Sequence, residues 1–147
     1  MPNWCDNNLH IEGDEKEVAR LVGLVKHRRR IEEYLLEDIG CVFDFERIVP
    51  YDKKVKELGY YDWHINNWGT KWNSYQARIS ARDNGCVVFE FQTAWSPPVP
   101  VLVALKKQFP GLEMEIDWEE EGGLAGNIGF NKKGKVVLSD REHSREE

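Results

Sequence analysis

Polar and apolar residues alternate through Asn8-Leu9-His10-Ile11-Glu12, the period of a half-buried strand with Leu9 and Ile11 turned inward. Gly13 closes the run. Asp14, with Glu17 three residues later, supplies the capping-box start of a helix. Val18, Leu21, Val22 and Val25 follow at helical spacing and predict one apolar stripe, ending near residue 27. The basic run Lys26 to Arg30 interrupts the stripe. Ile31, Leu35, Leu36 and Ile39 resume it before Gly40, which predicts a second helical piece.

From Cys41 to Asn73 the period is weakest. Pro50, Gly59 and Gly69 punctuate a stretch dense in aromatics, the pattern of a long irregular insertion packed by its own side chains or used in function. A hairpin follows around Asp83-Asn84-Gly85. A two-residue loop would set Arg82 against Val87 and mix polar with apolar residues on one face. A three-residue loop with left-handed Gly85 pairs Ala81 with Val87, Ile79 with Phe89 and Ala77 with Phe91, so that register is expected. Ser96-Pro97-Pro98 has the composition of a helix start capped by serine. Val101, Leu102, Leu105 and Phe109 then form its stripe until Pro110-Gly111. Leu112, Met114, Ile116 and Trp118 alternate with carboxylates as another half-buried strand. Short segments around Ile128 and Val136 predict a terminal hairpin across Asn131 to Gly134.

The order strand, helix, insertion, strand, strand, helix, strand is the split βαβ arrangement. The expected fold class is α+β: a ferredoxin-like sandwich, β-α-β-β-α-β, with a Trp-rich insertion after the first helix and an extra C-terminal β-hairpin. Residues 1–138 are expected to make one domain. Residues 139–147 are charged, lack apolar partners and are expected to form a disordered tail.

A chain of 147 residues can bury about two-thirds of its unfolded surface and needs no metal or disulfide to hold it. Its net charge of −6 weighs against non-specific phosphate-backbone binding. Cys5, Cys41 and Cys86 are widely spaced and make no CxxC pair, so independent thiols in a reducing compartment are expected, with no iron–sulfur cluster, zinc site or other cofactor. The opening Met1-Pro2-Asn3-Trp4 lacks the character of a secretory leader, and no apolar run approaches bilayer length. A cytoplasmic protein without membrane contact is expected.

Four blocks carry a family resemblance: Met1 to Asn8, Trp63 to Asn73, Thr93 to Pro98, and Glu121-Gly122-Gly123 with Ala125-Gly126. They resemble the YubB family of ferredoxin-like proteins, which includes Api-type phage and plasmid proteins. The resemblance implies a ferredoxin-like fold in bacteria and their mobile elements, and no particular activity.

The candidate site is Trp63, Asn67, Trp68, Gly69, Thr70, Lys71 and Trp72, with Trp95 beside it. Flat aromatic faces with polar selectors suit a stacked base, ring or peptide, and Lys71 between Trp68 and Trp72 suits a cation–π brace. The competing reading makes these tryptophans the packing of the insertion onto the sheet. No spacing makes Cys5 and His64 a nucleophilic pair, and Glu119 to Glu121 form only a weak cation signal. The outward residues expected on the central strands, Asn8, His10, Glu12, Cys86, Val88, Glu90 and Gln92, include no aromatic ring, which disfavours the usual RNA-recognition mode. Phosphate-loop, dinucleotide, zinc-protease and serine-hydrolase motifs are missing. A non-enzymatic interaction module for a protein or nucleic-acid element is therefore expected, with no catalytic residue assigned. The alternatives are an enzyme with a Trp-lined cleft, using Lys71, His64 or the carboxylates near Glu120, and a homo-oligomeric assembly protein.

Overall fold

The computed structural model describes residues 3–27, 42–131 and 134–142. Strand β1 runs Trp4–Glu12, and helix α1 covers Glu15–Val25 with the Asp14 carboxylate accepting from the Lys16 and Glu17 amides. The insertion holds three short helices, α2 Phe45–Ile48, α3 Lys54–Leu58 and α4 Tyr60–Trp68. Strands β2 Tyr75–Asp83 and β3 Cys86–Ala94 make the hairpin, and helix α5 spans Val99–Gln108. A meander of β4 Glu113–Glu120, β5 Leu124–Phe130 and β6 Val136–Glu142 ends the chain.

The strands form one antiparallel sheet in the order β2-β3-β1-β4-β5-β6. The first four in that order are the ferredoxin-like sheet, and the terminal hairpin extends it past β4. Leu9, Ile11, Phe89 and Ile116 lie buried in one cluster with Val18 and Leu21 of α1 and Leu102 and Leu105 of α5, and Ile79 packs against it half-buried. Each fully buried aliphatic or phenylalanine side chain contributes about 1.5–3 kcal/mol. This cluster is the driving layer of the fold, and among the described residues no helix covers the opposite sheet face.

The irregular insertion expected from the sequence is helical instead. In α4, residues 60, 63, 64, 67 and 68 occupy one helical stripe, but His64 and Asn67 in that stripe hide its period from an apolar count. Phe43 anchors the insertion beneath β3, its ring stacked on Phe91 (centroids 5.0 Å) and tilted against Phe89 (4.9 Å). Asp44 ties three elements together: it accepts from the Glu46 amide to cap α2, from Asn73 Nδ2, and bonds His27 Nδ1 at 2.7 Å.

The hairpin also departs from expectation. Its loop is the two-residue Asn84-Gly85, with Arg82 opposite Val87 and Asp83 opposite Cys86. An extra residue at Ser80 then shifts the ladder so that Ile79 faces Phe89 after all. The apolar constraint is met by a bulge in an edge strand, where the unpaired residue is solvated. Gly85 is not left-handed. It is needed because a Cβ there would lie 2.7 Å from the Gly13 carbonyl oxygen, which sits beside the Gly13 amide bonded to Gly85. Ser96 does not cap α5. Ser96 and Pro97 each precede a proline and are pushed from the helical region; the helix starts at Val99 with Pro100 in its first turn, and Ser96 Oγ donates to the Gly69 carbonyl instead. At the far end, β6 continues through Ser139–Glu142, which pair with Leu124–Asn127, so the expected tail is strand over its first four residues. The second helical piece expected over Ile31–Ile39 falls outside the described residues.

Removing the Phe43 ring tests how the insertion is held. Phe43→Ala is expected to cost about 3–5 kcal/mol, read as a lower urea midpoint with an unchanged m-value.

Candidate functional site

The Trp-rich block is divided by the backbone turn at its centre. Gly69 ends α4 in the left-handed region (φ 80°), and its amide donates to the His64 and Ile65 carbonyls. No other residue fits, because a Cβ at Gly69 would sit 2.5 Å from Pro100 Cδ. Thr70 Oγ1 donates to the Ala94 carbonyl at 2.7 Å, and Ser96 Oγ returns a bond to the Gly69 carbonyl at 2.9 Å. These two bonds clasp the end of α4 to the end of β3.

On the N-terminal side of the clasp the tryptophans are structural, while Tyr60 and Tyr61 stay exposed. Trp63 and Trp68 are fully buried. Trp63 Nε1 donates to Asp52 Oδ1 and Trp68 Nε1 to the Val49 carbonyl, both at 2.9 Å, so neither indole N–H is left for a ligand. Asn67 donates to the Trp63 carbonyl within its own helix, and Thr70 is buried. His64 stacks on Trp68, centroids 4.3 Å apart and 8° from parallel. Its Nδ1 faces the Lys71 carbonyl at 2.6 Å and its Nε2 the Tyr51 hydroxyl at 2.8 Å. A carbonyl only accepts, so Nδ1 carries the ring proton and Tyr51 donates to Nε2. Burial holds His64 below the ordinary imidazole range, against a smaller upward pull from the Lys71 carbonyl. Burial likewise pushes the Tyr51 phenol up to about 12.

On the other side the rings reach solvent. Trp72 is half-buried and lies 5.9 Å from Trp4, which stacks on Tyr75 at 4.9 Å and 17°. Lys71 Nζ sits 5.1 Å from the Tyr61 ring and 5.6 Å from the Trp72 ring, the brace the sequence suggests, though with a different pair of rings. Trp95 is 50% exposed and occupies the left-handed region at φ 74°, a strained conformation for a bulky residue. Its amide donates to the Asn3 carbonyl, one residue beyond the pairing of Trp4 with Ala94.

Trp4 and Tyr75 correct the expectation that the open sheet face carries no aromatic ring. Strand β1 begins at Trp4, so the alternation Trp4, Asp6, Asn8, His10 places Trp4 on that face. The inward polar residue Asn7 disguises the first half of the strand. It is buried and satisfied, its Nδ2 donating to the Cys5 and Phe91 carbonyls and to Thr93 Oγ1.

The rest of the open face is rich in carboxylates. Strand β1 contributes Asp6 and Glu12, and β3 contributes Glu90, which holds Arg78 of β2 through a 2.9 Å bond from Arg78 Nε. Strand β4 adds Glu113, Glu115, Asp117 and Glu119. A hollow of about 660 Å³ lies over Asp6, Asn8, Gln76, Arg78, Glu90 and Gln92, and another of about 540 Å³ reaches His10, Glu12, Glu113 and Glu115. Among the described residues, no three His, Cys, Asp or Glu side chains are grouped to hold a metal ion. Cys5 is buried and its thiol is pushed up to about 12, chiefly by that burial, which removes the thiolate a nucleophile needs. No described helix is long and apolar enough to cross a membrane.

Comparisons with known proteins agree with this architecture. Residues 68–147 match the family model described as the ferredoxin-like domain in Api92-like protein. The crystal structure of a protein Api92 from Yersinia pseudotuberculosis superposes with a TM-score of 0.69 at 12% identity, covering 98% of this chain and 99% of that one. At that identity the likeness concerns the fold. Among curated proteins, none matches the chain in sequence.

The buried imidazole yields a pH prediction. His64 is neutral in the folded state and takes up a proton freely only when unfolded, so the unfolded state binds more protons as pH falls. Stability is expected to decline as pH drops below the ordinary histidine value of 6.5, well above the range where Asp52, held low by the Trp63 N–H, titrates. Urea midpoints at stepped pH for wild type and His64→Gln should differ in slope within that window. Parallel curves would remove His64 as the cause.

Proposed function

We propose that this chain, which belongs to the family of ferredoxin-like domains in Api92-like proteins, is a non-enzymatic binding module. Its contact surface is the outward aromatic group of Trp4, Trp72, Tyr75 and Trp95, with Lys71 at its margin. Of the sequence candidates, Trp63, Trp68, Asn67, Gly69 and Thr70 support that surface from below. The partner is a protein element, and the setting is the cytoplasm of a bacterium, in a relative of the YubB proteins of phages and plasmids.

The observation that carries this reading is Trp95. A tryptophan held 50% exposed in a left-handed backbone conformation costs about 1–2 kcal/mol against glycine, a cost that core packing does not explain. What favours binding over catalysis is the state of the reactive groups. The Cys5 thiol is buried, and His64 is locked between Tyr51 and Lys71. A nucleophile or general base needs the opposite in each case.

Trp95→Gly separates the two roles of that residue. Relief of strain should leave the melting temperature equal to or above that of wild type, while retention of the natural partner from host extract falls. Trp72→Ala/Trp95→Ala should abolish retention without loss of the folded circular-dichroism spectrum. An unchanged partner set in that double variant would overturn the proposal.

A further inference from the structure

Among the described residues no element packs on the open sheet face, and its outward charges on β1 and β4 are carboxylates. On β1 and β4, Glu12 stands directly opposite Glu113, and His10 opposite Glu115. On the other flank Asp6 accepts from Gln92 Nε2, and Glu90 is occupied by Arg78. Like charges directly opposite on a ladder destabilise it, so the Glu12–Glu113 pair brings no benefit to the free fold. Two hollows, of about 660 and 540 Å³, lie along this face, and the cation lining each is already engaged, Arg78 by Glu90 and Lys106 by the Pro110 and Leu112 carbonyls. The stacked Trp4–Tyr75 pair stands on the same face, next along the strands from Asp6 and Gln76. Carboxylates along a concave floor, with flat electron-rich rings beside it, are complementary to guanidinium and ammonium groups.

We infer that the open sheet face receives a basic polypeptide segment, whose arginine or lysine side chains meet Asp6, Glu12, Glu113 and Glu115 while one of them lies against the Trp4–Tyr75 rings. This rests on the binding-module reading and names the partner's chemistry. A nucleic acid is disfavoured by the same floor, since phosphates would face carboxylates with Arg78 already engaged by Glu90.

The test titrates isotope-labelled full-length protein with a peptide of about ten alternating arginine and serine residues, long enough to cross the face at ~3.3 Å per residue. Shift changes are expected at the Trp4 indole and at amides of β1, β3 and β4, weakening as salt is raised. Glu12→Gln/Glu113→Gln/Glu115→Gln should weaken binding about tenfold, yet melt at or above the wild-type temperature because the opposed charges are gone. Trp4→Ala should weaken it as well. Affinity unchanged by the triple substitution, shifts confined to other surfaces, or tighter binding of a single-stranded oligonucleotide or of a glutamate–serine peptide would each overturn the inference. If the basic peptide fails to bind while partner retention still depends on Trp72 and Trp95, this inference falls and the binding module stands.

Discussion

The clasp between Gly69-Thr70 and Ala94–Ser96 is the constraint on which both halves of this molecule depend. Helix α4 must turn outward at Gly69 with no room for a side chain, because Pro100 of the next helix occupies the space. The bonds from Thr70 to Ala94 and from Ser96 to Gly69 then fix the chain direction. Behind the turn, Trp63 and Trp68 complete the core, and ahead of it Lys71 and Trp72 are delivered to the surface. Lys71 belongs to both sides, since its carbonyl terminates the His64 bond while its ammonium lies over surface rings.

Much of the fold was legible because its driving layer is periodic. The alternation around Leu9 and Ile116, and the helical spacing of Val18 to Val25, state the sandwich directly. The insertion was not legible, because the buried stripe of α4 includes histidine and asparagine that burial tolerates only through bonds to Tyr51, Lys71 and Trp63. The hairpin failed for a related reason. The pairing of Ile79 with Phe89 was readable, but the chain reached it through a bulge at Ser80 that no period records.

The site was half legible. Tryptophan count points to the neighbourhood proposed as the contact surface, yet the same residue type is buried at Trp63 and Trp68 and exposed at Trp95. What separates Trp63 and Trp68 from Trp72 and Trp95 is whether the fold supplies an acceptor for the indole N–H in a dry pocket, and that depends on Asp52 and Val49. Tyr75 escaped notice because nothing local distinguishes it. Trp4 carried a signal in its alternation with Asp6 and Asn8, masked by the buried amide of Asn7.

Strand β2 ends one side of the sheet, and its ladder is offset twice, once where Gln76 and Ala77 share Phe91 and once at Ser80. Each offset twists the strand and throws its outer amides out of step. A second chain would therefore meet an interrupted ladder along that border, which disfavours a sheet shared between molecules.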